Sequence, residues 1–244
     1  MTPEYKQMAG RLMVALDYPN ANAARELVEK LNGIPCYMKV GMQLFYTAGP
    51  EFVSELKEKG YSVFLDVKMH DIPNTVRGGS HSVTRLGVDM FNVHAGGGAA
   101  MMRAALEGAK QAAEEEGILL PTIIAVTQLT STDQQTMNDE IGIPGQVQDT
   151  VVRYAQLAKE AGLNGVVASP LEAGSIHEAC GTNFITVTPG IRPRGSAAGD
   201  QSRVTTPQEA IAGGTQFIVV GRPITAATDP RAAAEQIIEE MMNA

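Results

Sequence analysis

The segment Val63-Phe-Leu-Asp66-Val-Lys68-Met-His-Asp71-Ile-Pro-Asn-Thr75 reads as an apolar strand that ends in charged residues and runs directly into a turn. A short run rich in Val, Phe and Leu, bounded by turn formers, is the pattern of a parallel strand covered on both faces. Seven further runs of this kind occupy residues 12–17, 37–41, 90–95, 122–127, 165–169, 184–190 and 217–222. Their C-terminal ends recur at a mean spacing of about 29 residues, close to one strand plus one crossover helix. Helical signals fill the intervals. Asn20 or Asn22 can cap a helix running to Leu31, and Asn32-Gly33 stops it. Pro50 stands at a first-turn position before residues 51–59, and Thr206-Pro207 and Asp229-Pro230 open two later helices in the same way. Residues 99–115 and 146–161 supply two more.

Eight strand-and-helix units in 244 residues predict a (β/α)8 barrel, an α/β fold in which residues 1–244 form a single domain. A doubly wound open sheet is the rival, but it carries a glycine-rich nucleotide fingerprint after its first strand. Here that strand ends Leu16-Asp17-Tyr18-Pro19, without glycine. No linker, low-complexity tract or shift in composition divides the chain.

Composition narrows the function classes. The net charge is −8, which argues against a nucleic-acid or anionic-membrane binder. The hydrophobic fraction of 44% is too high for a disordered chain. Two cysteines, Cys36 and Cys180, make no disulfide framework and read as small buried hydrophobes. The first residues contain no apolar run resembling a signal peptide, and no stretch is long and apolar enough to span a membrane, so a cytoplasmic location is expected.

In a barrel of this kind, chemistry belongs at the C-terminal strand ends and the loops that follow. Strand alternation places Phe64, Asp66 and Lys68 on one face, and Tyr37, Lys39 and Gly41 on one face of the second run. If those faces point inward, Lys39, Asp66 and Lys68 converge near the barrel mouth, where Asp17 also arrives and the next loop adds Asp71. Burying four such charges for structure alone is a poor route to stability, so a functional array is the better reading. A second constellation follows the seventh and eighth runs: Thr188-Pro189-Gly190-Ile-Arg192, then Gln201 and Arg203, and Val220-Gly221-Arg222. These loops are the usual phosphate site of the fold, and arginine adds bidentate recognition of oxygens. The stretch between them is long and rich in Gly, Ala and Ser, which suggests a lid over a phosphorylated small molecule. Gly96-Gly-Gly98 reads as a tight turn. His70, His81, His94 and His177 lack metal-ligand spacing; a structural role is expected for His94, and His70 could merely support the array. No metal and no cofactor is expected.

Taken together, these motifs resemble the orotidine 5′-phosphate decarboxylase family, closest to its bacterial branch. The carriers are Asp66-Val-Lys68-Met-His-Asp71-Ile72-Pro73, Lys39-Val-Gly41, Ala15-Leu-Asp17, Val126-Thr-Gln-Leu-Thr130-Ser, Val187-Thr-Pro189-Gly-Ile-Arg192 and Val219-Val-Gly221-Arg222, in order over essentially the full chain. The resemblance implies cofactor-independent decarboxylation of orotidine 5′-monophosphate to uridine 5′-monophosphate (UMP) in pyrimidine biosynthesis. It implies a catalytic array of Lys39, Asp66, Lys68 and Asp71, with Lys68 protonating C6. Asp66 and Lys39 would orient Lys68 and touch the ribose, together with Asp17 and Thr75. Asp71 and Thr75 would be lent by the second subunit of a homodimer. Arg192, Gln201, Gly221 and Arg222 would hold the phosphate, and Thr130 and Pro189 the pyrimidine. Losing carbon dioxide from a ring carbon with no adjacent electron sink calls for a fixed ammonium where negative charge develops. Two alternatives stand beside this reading. One is an Mg²⁺-dependent sugar-phosphate decarboxylase or aldolase of the same superfamily, which would carry a glutamate where this chain has Lys39. The other is a non-catalytic phosphate-binding barrel, in which loss of Lys68 or Asp71 would be expected.

Overall fold

A computed structural model of the chain describes residues 1–194 and 205–244. A first helix, α1 (Pro3–Ala9), precedes a regular alternation: β1 (Leu12–Ala15), α2 (Ala21–Lys30), β2 (Tyr37–Gly41), α3 (Met42–Glu58), β3 (Ser62–Met69), α4 (Pro73–Arg85), β4 (Met90–His94) and α5 (Gly98–Glu116). It continues with β5 (Thr122–Val126), α6 (Val147–Glu160), β6 (Gly165–Val167), α7 (Ala173–Cys180), β7 (Ile185–Thr188), α8 (Pro207–Ala212), β8 (Phe217–Val220), α9 (Arg222–Thr225) and α10 (Pro230–Met242). Each strand pairs in parallel with the next, and β8 pairs with β1, so the sheet closes into the expected (β/α)8 barrel.

Alternation along the strands sorts side chains into two cores. Met13, Phe64, Met90, Ile124 and Val187 fill the barrel interior, joined by Tyr37, Val167 and Phe217. Their sequence neighbours Val14, Leu65, Phe91 and Ala125 belong to the larger core between sheet and helices. This assignment fixes the direction of the polar residues beyond them. Asp66 lies two residues past inward Phe64, and Lys39 two past inward Tyr37, so both enter the barrel mouth.

The caps read from sequence form: Asn20 Oδ1 accepts from the Ala23 N–H at 3.0 Å, and Asp229 Oδ1 from the Ala232 N–H at 3.0 Å. Thr206 and Glu209 make a reciprocal capping box. Pro50 does open a helix, but α3 begins earlier, at Met42. Gly49, at φ 72°, breaks the two halves, and Pro50 restarts the second.

Four helices are not among those read from the sequence: α1, although Thr2 caps it ahead of Pro3, then α7, α9 and α4. The last is instructive, because Pro73-Asn-Thr-Val-Arg-Gly-Gly-Ser-His-Ser is a poor helix former in isolation. Val76, Ser80, Val83 and Thr84 form its buried face. It packs so closely on α5 that a Cβ added at Gly108 would lie 2.1 Å from the Arg77 carbonyl oxygen. Tertiary packing overrides local propensity here.

That contact inverts the usual effect of glycine replacement. In an open helix, Gly→Ala gains up to about 1 kcal/mol. Gly108→Ala instead overpacks backbone and should destabilise by about 1–3 kcal/mol, lowering Tm by several degrees. Gly174, exposed in the first turn of α7 with nothing within 4 Å of an added Cβ, should accept alanine with no loss. Thermal unfolding of the two variants checks the contrast; a Gly108→Ala protein at least as stable as wild type would contradict the close packing.

Candidate active site

A cavity of about 580 Å³ opens at the C-terminal ends of the strands. Its floor is apolar, formed by the inward residues Ala15, Phe64, Val126, Val167, Val187 and Val219. Its walls hold Asp17, Lys39, Asp66, Lys68, Thr130, Pro189, Arg192, Gly221 and Arg222. Nine of the twelve residues singled out from the sequence thus line one cavity. Of the other three, Asp71 and Thr75 are exposed and do not line it within one chain. Gln201 lies outside the described residues, as does most of the lid expected over residues 190–203. The two ends of that loop are described and are joined: Arg192 N–H donates to the Thr205 carbonyl at 3.0 Å, and Thr205 N–H to the Gly190 carbonyl at 3.3 Å.

The charged wall is an alternating chain. Lys39 Nζ lies 3.3 Å from both Asp17 Oδ1 and Asp66 Oδ2, and Lys68 Nζ lies 2.6 Å from Asp66 Oδ1. Lys39 and Asp66 are buried, Lys68 is partly exposed, and the Asp17 side chain is 67% exposed. Burial pushes the Asp66 carboxyl up, but Lys39 and Lys68 outweigh it, helped by hydrogen bonds from Lys68 and Asn92, so its pKa lies below the ordinary carboxylate value. Burial likewise opposes the Lys39 charge, and Asp66 and Asp17 outweigh that, holding it above the ordinary lysine value. Both groups are therefore held ionised where an isolated one would neutralise.

Lys68 sits on an irregular piece of backbone. Its φ is 51°, the single positive value outside glycine among the described residues. For lysine this left-handed conformation costs of order 1–3 kcal/mol. It falls within a bulge: Leu65 pairs with Phe91 and Met69 with Val93, so four steps along β3 match two along β4. Opposite the bulge stands Asn92, fully buried. Its Oδ1 accepts from the Lys68 backbone N–H at 2.8 Å, and its Nδ2 donates to Asp66 Oδ1 at 2.7 Å. The sequence reading did not select Asn92. The signal was present: Met90-Phe-Asn-Val-His94 alternates about inward Met90, which aims Asn92 at the same interior as Asp66.

At the other end of the cavity, Arg192 and Arg222 stand close enough to interact. Burial, and then the neighbouring Arg222 charge, lower the Arg192 pKa. Two guanidiniums beside the backbone of Gly190 and Gly221 give this end of the cavity a chemistry suited to an anion. Near Lys68, the rings of His70 and His94 stack with centroids 5.3 Å apart. Burial, then His70 and Lys68, hold the His94 pKa below its ordinary value, favouring the neutral imidazole. Among the described residues, no group of three or more His, Cys, Asp or Glu is placed to hold a metal ion.

The chain matches a known family over nearly its whole length: the model described as "Orotidine 5'-phosphate decarboxylase / HUMPS family" covers residues 10–237. The chain belongs to that family. A protein of Moorella thermoacetica named orotidine 5′-phosphate decarboxylase is 51% identical over 231 residues, spanning 95% of this chain and 92% of that one. One of the same name from Cutibacterium acnes is 51% identical over 230 residues, 94% of this chain and 95% of the relative. The crystal structure of orotidine 5′-phosphate decarboxylase from Lactobacillus acidophilus superposes with a TM-score of 0.84 at 41% identity, covering 94% of this chain and 98% of that one. Membership of the orotidine 5′-phosphate decarboxylase / HUMPS family agrees with the barrel and with the resemblance read from the sequence.

The electrostatics set a pH window for stability. The folded Asp66 pKa lies below the unfolded value of about 3.9, so its stabilisation is complete above that value and is lost as pH falls through the folded pKa. Lys39 has the opposite sense: its stabilisation is complete below about pH 10.4 and is lost as pH rises through its higher folded pKa. The difference in Tm between wild type and Asp66→Asn should therefore be constant from about pH 7 to 9 and shrink only below about pH 4. Calorimetry across that range measures it; a difference already shrinking near neutrality would show that the carboxyl is not held down.

Proposed function

We propose that this chain decarboxylates orotidine 5′-monophosphate to UMP, with Lys68 as the general acid and with the Asp17–Lys39–Asp66–Lys68 chain in one cavity as the observation that carries the reading. The 5′-phosphate would lie against Arg192, Arg222 and the Gly221 amide, with Gln201 added from the loop. The ribose would meet Asp17, Lys39 and Asp66, and the pyrimidine would rest between the Thr130 segment and Pro189. As the C6–carboxylate bond breaks, carbon dioxide leaves and the electron pair stays on C6. Lys68 then transfers a proton from Nζ to C6 and is left neutral until it takes a proton from water. The ammonium lies where negative charge develops, inside an apolar-floored pocket in which such an interaction is worth more than in water. Asp66, 2.6 Å from Nζ, fixes its direction. This chemistry asks for no cofactor.

The same family includes metal-dependent sugar-phosphate chemistry in the reading given above. Lys39 argues against it, because its ammonium lies between Asp17 and Asp66, where a divalent cation would meet an unfavourable charge.

Asp71 and Thr75 complete the site in this reading only from a second copy. Asp71 closes a local turn within its own chain, its Oδ1 accepting from the Ile72 N–H at 2.6 Å. Three large apolar residues that follow the ends of β2 and β3, Met42, Tyr46 and Ile72, are exposed to 44%, 72% and 67%. A homodimer over this face would cover them and bring each Asp71 to the partner's Lys68. The whole chain then acts as one catalytic domain. A cytoplasmic location is proposed alongside, supported by two unpaired buried cysteines. Among the described residues no helix is long and apolar enough to cross a membrane.

Two measurements test the reading. In a spectrophotometric assay with orotidine monophosphate in the presence of EDTA, wild type should turn over, and Lys68→Ala should lose turnover while still binding UMP. Full activity in Lys68→Ala would remove the acid assignment, and turnover only with added Mg²⁺ would favour the sugar-phosphate branch. Mixing inactive Lys68→Ala with inactive Asp71→Ala should restore part of the activity, because one hybrid site then holds both residues. Heterodimers that remain inactive would overturn the shared site.

A further inference from the structure

We infer that Asn92 is a positioning residue for the decarboxylation, the strut that holds the left-handed Lys68 backbone and the Asp66 carboxylate in one fixed relation. This rests on the reading of Lys68 as the proton donor. The geometry carries it on three counts. First, the amide can be oriented in only one way: the Lys68 backbone N–H can only donate, so it must face Oδ1, and the ionised Asp66 carboxylate can only accept, so it must face Nδ2. Rotating the amide by half a turn would break both bonds, at 2.8 and 2.7 Å, and place like against like.

Second, Asn92 occupies the place where the ladder between β3 and β4 is interrupted. Between the Leu65–Phe91 and Met69–Val93 pairs, β3 carries two residues more than β4, and the Lys68 N–H finds its acceptor in the Asn92 side chain. The bulge re-aims Lys68, and the Asn92 side chain supplies a hydrogen bond at the displaced point. Third, the same amide bonds the Asp66 oxygen that also receives Lys68 Nζ at 2.6 Å. One side chain therefore ties the backbone of the donor to the carboxylate that directs its ammonium. An apolar residue of equal size would leave the Lys68 N–H unpaired and its backbone free to return to an extended conformation.

The surroundings make a titratable replacement informative. The charged and titratable groups facing position 92 are Asp66 and Lys68 on β3, Lys39 on β2 beyond Asp66, and His94 on its own strand, stacked on His70. From β5 the paired residue is apolar Ile124. In Asn92→Asp, a protonated carboxyl reproduces the amide, its carbonyl accepting from the Lys68 N–H and its hydroxyl donating to Asp66. The ionised form instead faces Asp66 with a like charge.

The test is steady-state kinetics with orotidine monophosphate, alongside UMP binding by calorimetry, on Asn92→Ala, Asn92→Asp and Lys68→Ala. Asn92→Ala should lower kcat by more than tenfold, in line with the roughly 100-fold cost of small misplacements of a reacting group, while KM and UMP affinity change less than threefold. Asn92→Asp should approach wild-type kcat at low pH and lose it as pH rises, a profile that wild type does not share; this arm holds even if Asn92→Ala fails to fold. A tenfold or smaller loss of kcat in folded Asn92→Ala, a parallel loss of kcat and UMP affinity, or a wild-type-shaped profile in Asn92→Asp would overturn the inference. Lys68→Ala separates the two readings. If it is inactive while Asn92→Ala is not, only the strut fails; if it is fully active, the proton-donor reading fails with it.

Discussion

A carboxylate buried in the mouth of a barrel has to be surrounded by positive charge or give up its own, and Asp66 is placed under that constraint. Taking an ion out of water costs several kcal/mol even after relaxation. A lysine at about 4 Å returns roughly 4 kcal/mol at an effective dielectric of 20. Asp66 has two, Lys39 and Lys68, and a neutral amide donor in Asn92. Lys39 in turn is held by Asp17, although the exposure of Asp17 leaves that outer contact screened. The order Asp17–Lys39–Asp66–Lys68 follows from this requirement: each buried charge neighbours its opposite, and the exposed ends taper toward solvent. The four formal charges sum to zero. A neutral array of fixed ions can be buried more readily than a net charge, yet it still presents an ammonium at one end to whatever occupies the cavity.

The barrel makes this arrangement possible because strand direction, not loop conformation, sets where the charges sit. Inward Tyr37 and Phe64 belong to the interior core, so Lys39 and Asp66 inherit their direction from packed neighbours two residues before them. Lys68 is the exception. The left-handed backbone and the bulge re-aim it, and the strain there is sustained by the surrounding hydrogen bonds. In the proposed mechanism the pair that would orient stands on rigid strand positions and the proton donor on a strained one, a division of roles that suits preorganised electrostatics.

Much of this was legible in the amino-acid sequence, for identifiable reasons. Buried parallel strands are short, apolar and regularly spaced, so the eight runs marked the barrel, and period-two alternation put Lys39 and Asp66 on strand faces that the structure turns inward. What was not legible depended on tertiary contact. The helix α4 has a glycine- and serine-rich sequence that promises little, and it exists because α5 offers Gly108 and the alanines around it as a close-packing surface. The bulge at Lys68 leaves no mark in the strand pattern, since Lys68 falls on the expected face whether or not the ladder is broken. Asn92 was hidden by the company it keeps: a lone amide in an apolar run reads as an ordinary strand residue until its two partners are known. Asp71 and Thr75 show another limit, because a single chain does not bring them to the cavity, whatever their place in the motif.

The overall charge of −8 and the local sign of the cavity are separate quantities. At one end burial, and then the neighbouring Arg222 charge, disfavour the charge on Arg192, and an anionic group placed there would offset that cost. At the other end the array is neutral as it stands in one chain. In the dimer proposed above, Asp71 would add one negative charge beside Lys68, and a substrate carboxylate would add another. Both negative charges would then face the ammonium before reaction, and loss of carbon dioxide would remove one of them just as a new one appears on C6. Binding at the arginine end can therefore be spent on bringing a carboxylate against Asp71. In this arrangement, the phosphate grip and the charged array act as two ends of one electrostatic device.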